Sequence, residues 1–94
     1  MDIVWRPRAL DDLEAARRYI AERNPAAAAR VNAAILTSVG RLVDHANLGR
    51  PGRVDGTREL VIPRTPYIVA YAIIETQVMI LSVLHSARRW PDRF

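Results

Sequence analysis

Cysteine and lysine are both missing from these 94 residues. Without a thiol there is no disulfide scaffold, no thiolate zinc site and no cysteine nucleophile, which suits a reducing cytoplasm. Without lysine, all fourteen basic residues are arginine, set against ten acidic ones for a formal charge of +4. A guanidinium stays protonated at any relevant pH and presents a planar fork of donors suited to phosphate and carboxylate. The excess charge points to nucleic acid or an acidic protein as partner, although a coding bias towards arginine explains much of the replacement. No long apolar stretch follows a basic leader, and Met1–Trp5 runs straight into a folded-looking segment, so neither secretion nor membrane insertion is expected. The two histidines, His45 and His85, lie far apart with no paired carboxylate motif, and no metal and no cofactor is expected.

Half of the residues are hydrophobic, enough for one core in one domain spanning residues 1–94. Asp2–Trp5 reads as a short strand, and Pro7 suits the first turn of a helix, where a missing N–H costs nothing. From Pro7 to Arg23, Leu10, Leu13, Arg17 and Ile20 fall near one helical face. Glu14 and Arg18 are spaced for a favourable pair one turn apart. Asn24-Pro25 stops this helix and caps another, in which Ala28, Val31, Ile35, Val39 and Leu42 repeat at helical spacing down to about Asn47. Leu36 and Val43 widen that stripe and are candidates to face a partner.

The run from Leu48 to Gly56 holds three glycines and a proline and reads as an irregular loop. Thr57–Ile62, Tyr67–Ile74 and Gln77–His85 then carry the β-branched and aromatic residues of strands, joined by short turns. The fold class is α+β, in the order β-α-α-β-β-β, with a helical hairpin packed on a small antiparallel sheet.

Several segments share a known pattern: Trp5-Arg-Pro-x-Ala9 with Asp12-Leu13, Tyr19-Ile20-Ala21 and Asn24-Pro25-x-Ala27-Ala28; then Gly49-Arg-Pro-Gly-Arg53 with Gly56-Thr-Arg-Glu-Leu-Val61; then Pro66-Tyr-Ile-Val-Ala-Tyr71 and Ile80-Leu-Ser-Val-Leu-His85. In order and spacing the chain resembles the RelE/ParE superfamily of toxins from bacterial type II toxin–antitoxin systems. The resemblance implies a cytoplasmic, growth-inhibiting toxin neutralised by a cognate antitoxin that wraps around it. It also implies one of two targets: mRNA in the ribosome, which RelE-type members cut without a metal and which is the favoured reading of the sequence, or DNA gyrase, which ParE-type members poison without cutting RNA. A third possibility is a degenerate toxin that only binds its antitoxin.

RNA cleavage requires an activated 2′-hydroxyl, a protonated leaving oxygen and stabilised charge on the phosphorane. His85 is the candidate acid/base, since histidine is the side chain most often used for proton transfer, and Arg58 the candidate phosphate ligand. Arg50, Arg53, Arg64, Arg88 and Arg89 are candidates to grip a nucleic acid or other target, and Trp90 to stack on a base. Each has a plainer role open to it: a structural histidine, solvated loop charges, a packed tail. Three departures weigh against cleavage. The lysines of the RelE branch are missing, the strand Tyr67-Ile-Val-Ala-Tyr71 lacks the arginine found in related nucleases, and there is no C-terminal tyrosine. The partner is expected to be a short, acidic, partly disordered antitoxin segment that orders on contact.

Overall fold

The computed structural model describes residues 1–94. Strand β1 (Asp2–Trp5) leads into helix α1 (Pro7–Ala21) and helix α2 (Pro25–Gly40), which is extended by a 3-10 turn, Arg41–Val43. Strands β2 (Arg50–Pro51), β3 (Arg58–Val61), β4 (Tyr67–Ile74) and β5 (Gln77–His85) follow. The five strands form one sheet in the order β1-β5-β4-β3-β2.

Local chemistry explains the hairpin of helices. The Asn24 side chain accepts a hydrogen bond from the Ala27 N–H at 3.1 Å, and Pro25 occupies the first helical position. The N–H groups of Arg23 and Asn24 both reach back to the Ile20 carbonyl, closing α1 before the proline forbids its continuation. The face that α1 buries is set by Ala9, Leu13, Ala16 and Ile20. Leu10 and Arg17, expected on that face, are exposed instead. Arg17 holds Glu14 at 2.6 Å, closer than Arg18 at 3.5 Å. In α2 the expected stripe is found: Ala28, Ile35, Val39 and Leu42 are buried and Val31 packs against the core. The α-helix ends at Gly40, short of Asn47, and the tighter turn that follows still delivers Leu42 to the interior.

The sheet corrects the all-antiparallel expectation. Strands β3, β4 and β5 form an antiparallel meander, but β1 runs parallel to β5, with Asp2 opposite Gln77 and Trp5 opposite Ile80. The helical hairpin between them acts as the crossover that a parallel neighbour requires. The loop from Leu48 to Gly56 also contains a regular piece: Arg50 and Pro51 pair with Glu59 and Arg58. Pro51 is tolerated there because β2 is the edge of the sheet.

Strand alternation divides the sheet into two faces. Leu60, Tyr67, Val69, Tyr71, Ile80 and Val83 turn towards the helices and join Ile35, Val39 and Leu42 in the core. Burying side chains of this size contributes on the order of 1.5–3 kcal/mol each. Glu59, Val61, Ile68, Ala70 and Leu84 alternate onto the opposite, helix-free face.

Three polar anchors fix this architecture. The first is Asp12 of α1, which accepts hydrogen bonds from the Ser82 hydroxyl and the Val83 N–H of β5. It sits beyond the reach of β1, beside a bulge where Leu81 has no partner between Ala70↔Ser82 and Tyr71↔Ile80. The second is Tyr71, fully buried, whose hydroxyl accepts from the Gly49 N–H at 2.8 Å and donates to the Ala46 carbonyl at 2.7 Å. Gly49 must be small here, since a Cβ would lie 2.7 Å from the Tyr71 ring. The third is Glu59, 4% exposed, which takes Arg50 on one carboxylate oxygen and the Arg53 N–H on the other.

Candidate functional site

The residues singled out in the sequence are spread over the sheet, the helices and the segment after β5 rather than gathered in one place. Arg58 stands opposite Tyr71 in the β3–β4 register and so shares the helix-side face with it. Its guanidinium donates to the Gly49 carbonyl at 2.7 Å, completing the anchor of the Leu48–Gly49 segment. His85 stands opposite Tyr67 at the far end of β4. From two strand spacings and four residues of rise, the Cα atoms of Arg58 and His85 are about 16 Å apart. One strand and four residues separate them, so the expected acid/base and phosphate ligand do not form one centre.

Arg50 is committed to Glu59 at 3.1 Å while its own side chain remains half exposed. Arg53 and Trp90 are brought together: the guanidinium carbon lies 3.9 Å from the centre of the indole ring, well within cation–π range. The Trp90 indole N–H also donates to the His85 carbonyl at 3.2 Å, so the segment after β5 folds back against the glycine-rich loop. Arg64 stands alone in the β3–β4 turn with φ of 61°, and Arg89 is exposed. His45 is exposed past the 3-10 turn.

Around His85 a second group assembles that the sequence did not announce. A cavity of about 310 Å³ opens between α1 and the end of β5, lined by Asp12, Tyr19, Tyr67, His85 and Arg88 together with small apolar side chains. The His85 and Tyr67 rings meet edge to face with centroids 5.4 Å apart. Nδ1 of His85 accepts the Ala87 N–H at 3.1 Å, so in the neutral ring the proton sits on Nε2. Arg88 lies 5.4 Å from the Tyr19 ring centre. Burial pushes the Tyr67 phenol up, partly opposed by the positive charge of Arg88. Tyr67 and Tyr19 carried only an aromatic-core signal in the sequence. Their convergence depends on the α1–β5 contact, which no local pattern encodes.

The opposite flank carries the exposed apolar residues. Leu36 and Val43 are 46% and 44% exposed, as are Leu48 and Val61 at 42% and 49%. A cavity of about 280 Å³ runs between α2 and β3, bordered by Ser38, Arg41, Leu48, Leu60 and Pro63. Strand β2 covers only Arg58 and Glu59, which leaves the outer edge of β3 open at Leu60 and Val61. No group of histidines and carboxylates is placed to hold a metal ion, and no helix is long and apolar enough to cross a membrane.

Comparison with known proteins agrees with this architecture. Residues 3–90 match the family described as "ParE toxin of type II toxin-antitoxin system, parDE". A protein named "Putative toxin Y4kP" from Sinorhizobium fredii is 46% identical over 90 residues, covering 96% of this chain and 93% of that one. "Toxin RelE2" from Caulobacter vibrioides is 34% identical over 86 residues, covering 92% and 96%. Among solved structures, a chain of the chromosomal ParDE system from P. aeruginosa superposes with a TM-score of 0.82 at 26% identity, over 90% of this chain and 95% of that one.

Proposed function

The chain belongs to the RelE/ParE superfamily of type II toxins, and on that premise we propose that it arrests growth in the ParE manner, by poisoning DNA gyrase without cutting RNA. The observation that turns the reading from the expected ribonuclease to gyrase is the separation of Arg58 from His85. Arg58 donates to the Gly49 carbonyl, and β4 lies between it and the histidine. The helix-free face offers no substitute: Ile68 and Leu84, paired across β4 and β5, are apolar and buried there. Stabilising a phosphorane requires preorganised donors at the developing charge, and these side chains supply none. Gyrase poisoning asks for a complementary surface rather than a catalytic set.

The toxin's partner is a cognate antitoxin. For its binding segment we propose an acidic, partly disordered stretch that orders along the α2–β3 flank. Exposed Leu36, Val43, Leu48 and Val61 supply apolar contact, Arg41 and Arg50 supply positive charge at the cavity rim, and the open edge of β3 supplies unpaired backbone groups. The compartment that fits such a system is the cytoplasm.

Two assays on the folded, antitoxin-free chain test the target. In a gyrase supercoiling reaction the chain is expected to produce double-strand breaks, and in a translating extract it is expected to leave mRNA intact. Cuts within codons, together with an undisturbed gyrase reaction, would establish the RelE-type ribonuclease instead. Silence in both would leave antitoxin binding as the sole function.

A further inference from the structure

We propose that the cavity between α1 and the end of β5 is a carboxylate pocket that receives one acidic side chain of the antitoxin, through the Tyr67 hydroxyl, His85 Nε2–H and the Arg88 guanidinium. The inference rests on the reading of the chain as an antitoxin-bound toxin, and gives His85 a binding role in place of a chemical one.

Tyr67 carries the most weight. Its ring is buried, with only 6% of the residue exposed, while its hydroxyl makes no hydrogen bond within the protein and is not sealed from solvent. The residue lines an open cavity, so this donor is free for a ligand there. The other phenol on the same strand and face, Tyr71, has both of its hydrogen-bonding capacities filled by the backbone. His85 adds a donor of fixed identity, because Ala87 occupies Nδ1 and leaves the neutral ring's proton on Nε2. Arg88 adds charge: it reaches the Tyr19 ring and is close enough to Tyr67 to oppose the effect of burial.

Three donors lining one cavity, one of them charged, describe a site for one anion. A nucleic-acid track needs cations repeated along its length, since duplex DNA carries a charge about every 1.7 Å. Along α1, the nearest candidates are already paired, with Arg17 and Arg18 both held by Glu14. Asp12 separates the remaining options. Its carboxylate borders the cavity and accepts two hydrogen bonds at one oxygen, so it repels any second anion. A phosphate monoester carrying about −1.5 to −2 charges suffers this more than a carboxylate carrying one. The small side chains of Ala15 and Ala16 on the α1 wall leave space for the methylene stem of a glutamate.

The test uses the isolated full chain and two probes, capped glutamate (N-acetylglutamate methylamide) and inorganic phosphate, titrated while the ring nitrogens of His85, the guanidinium of Arg88 and the Ala87 amide are followed by NMR. Capped glutamate is expected to shift these three residues together and saturably, and Tyr67→Phe and Arg88→Gln are each expected to weaken binding at least tenfold. Because the Tyr67 hydroxyl supports nothing in the fold, Tyr67→Phe reads the site without disturbing stability. Three results would overturn the proposal: no shifts with capped glutamate, equal affinity in both variants, or phosphate binding tenfold more tightly than glutamate. Gyrase poisoning by Tyr67→Phe reports separately on the target, so either idea can fail while the other stands.

Discussion

Replacing Tyr71 with phenylalanine isolates the most consequential polar anchor. The substitution keeps the ring in the core and removes one oxygen that accepts from Gly49 at 2.8 Å and donates to Ala46 at 2.7 Å. Gly49 is buried, so the loss of this partner for its N–H costs about 1–3 kcal/mol. Ala46 is half-buried, so its carbonyl recovers water and the lost bond there costs about 0.5–1.5 kcal/mol. The sum is about 1.5–4.5 kcal/mol, set against a total of roughly 5–14 kcal/mol for a domain of this length. In guanidinium unfolding followed by tryptophan fluorescence, the midpoint should fall with an unchanged slope, and the thermal midpoint should drop by at least about 6 °C. Tyr67→Phe is the matched control, on the same strand and face but with an unpartnered hydroxyl, and should change stability by less than about 0.5 kcal/mol. If the two variants lose the same amount, the Tyr71 hydroxyl does not pin the Ala46–Gly49 segment and the reasoning fails.

Further outcomes follow from the same contacts. Glu59→Ala strands the Arg53 N–H but returns Arg50, whose side chain is 55% exposed, to water; the expected loss is about 1–3 kcal/mol, with faster amide exchange at Arg53, and unchanged exchange would contradict the anchoring role. Gly49→Ala forces a Cβ to 2.7 Å from the Tyr71 ring and 3.0 Å from the Glu59 carbonyl and should destabilise by about 1–3 kcal/mol. By contrast Gly40→Ala, with nothing within 4 Å at the end of α2, should stabilise by up to about 1 kcal/mol, and chemical denaturation of the pair checks both signs. Burial raises the phenols of Tyr67 and Tyr71, so the folded state keeps those protons longer than the unfolded one. Their contribution is complete below the ordinary phenol value of about 10 and is lost as pH rises from there through the folded values; a Tyr67→Phe, Tyr71→Phe double variant should show a flatter alkaline limb.

The hairpin of helices was legible because its signals are local: Pro7, Asn24-Pro25 and an apolar repeat in α2 that the core reproduces residue for residue. In α1 Leu13 and Ile20 lie on the expected face, but Leu10 is large and apolar yet exposed, whereas the neighbouring Ala9 is small and fully buried. The parallel partnership of β1 with β5 was not legible, because nothing within Asp2–Trp5 encodes its pairing with a strand some 75 residues later. Arg50–Pro51 is hidden by its glycines and proline; its pairing is held by Glu59, whose carboxylate takes the Arg50 side chain. For the site, His85 and Arg88 were visible as chemistry, but Tyr67 was visible only as strand. Arg58 was grouped with His85 because the turns suggested a shared side, and the register places β4 between them.

The position of β5 has a consequence for how the toxin comes into being. This strand contacts β1 on one side and β4 on the other, and α1 lies across it, yet it is the last strand to be synthesised. Until residues 77–85 exist, β1 has no neighbour, Asp12 has no Val83 N–H to accept from, and the α1–β5 cavity has no second wall. At about 5–20 residues per second, a nascent chain therefore carries both helices and four strands before its sheet can close. The sheet is completed in one step with β5, so the fold that an antitoxin recognises exists only once that strand is made.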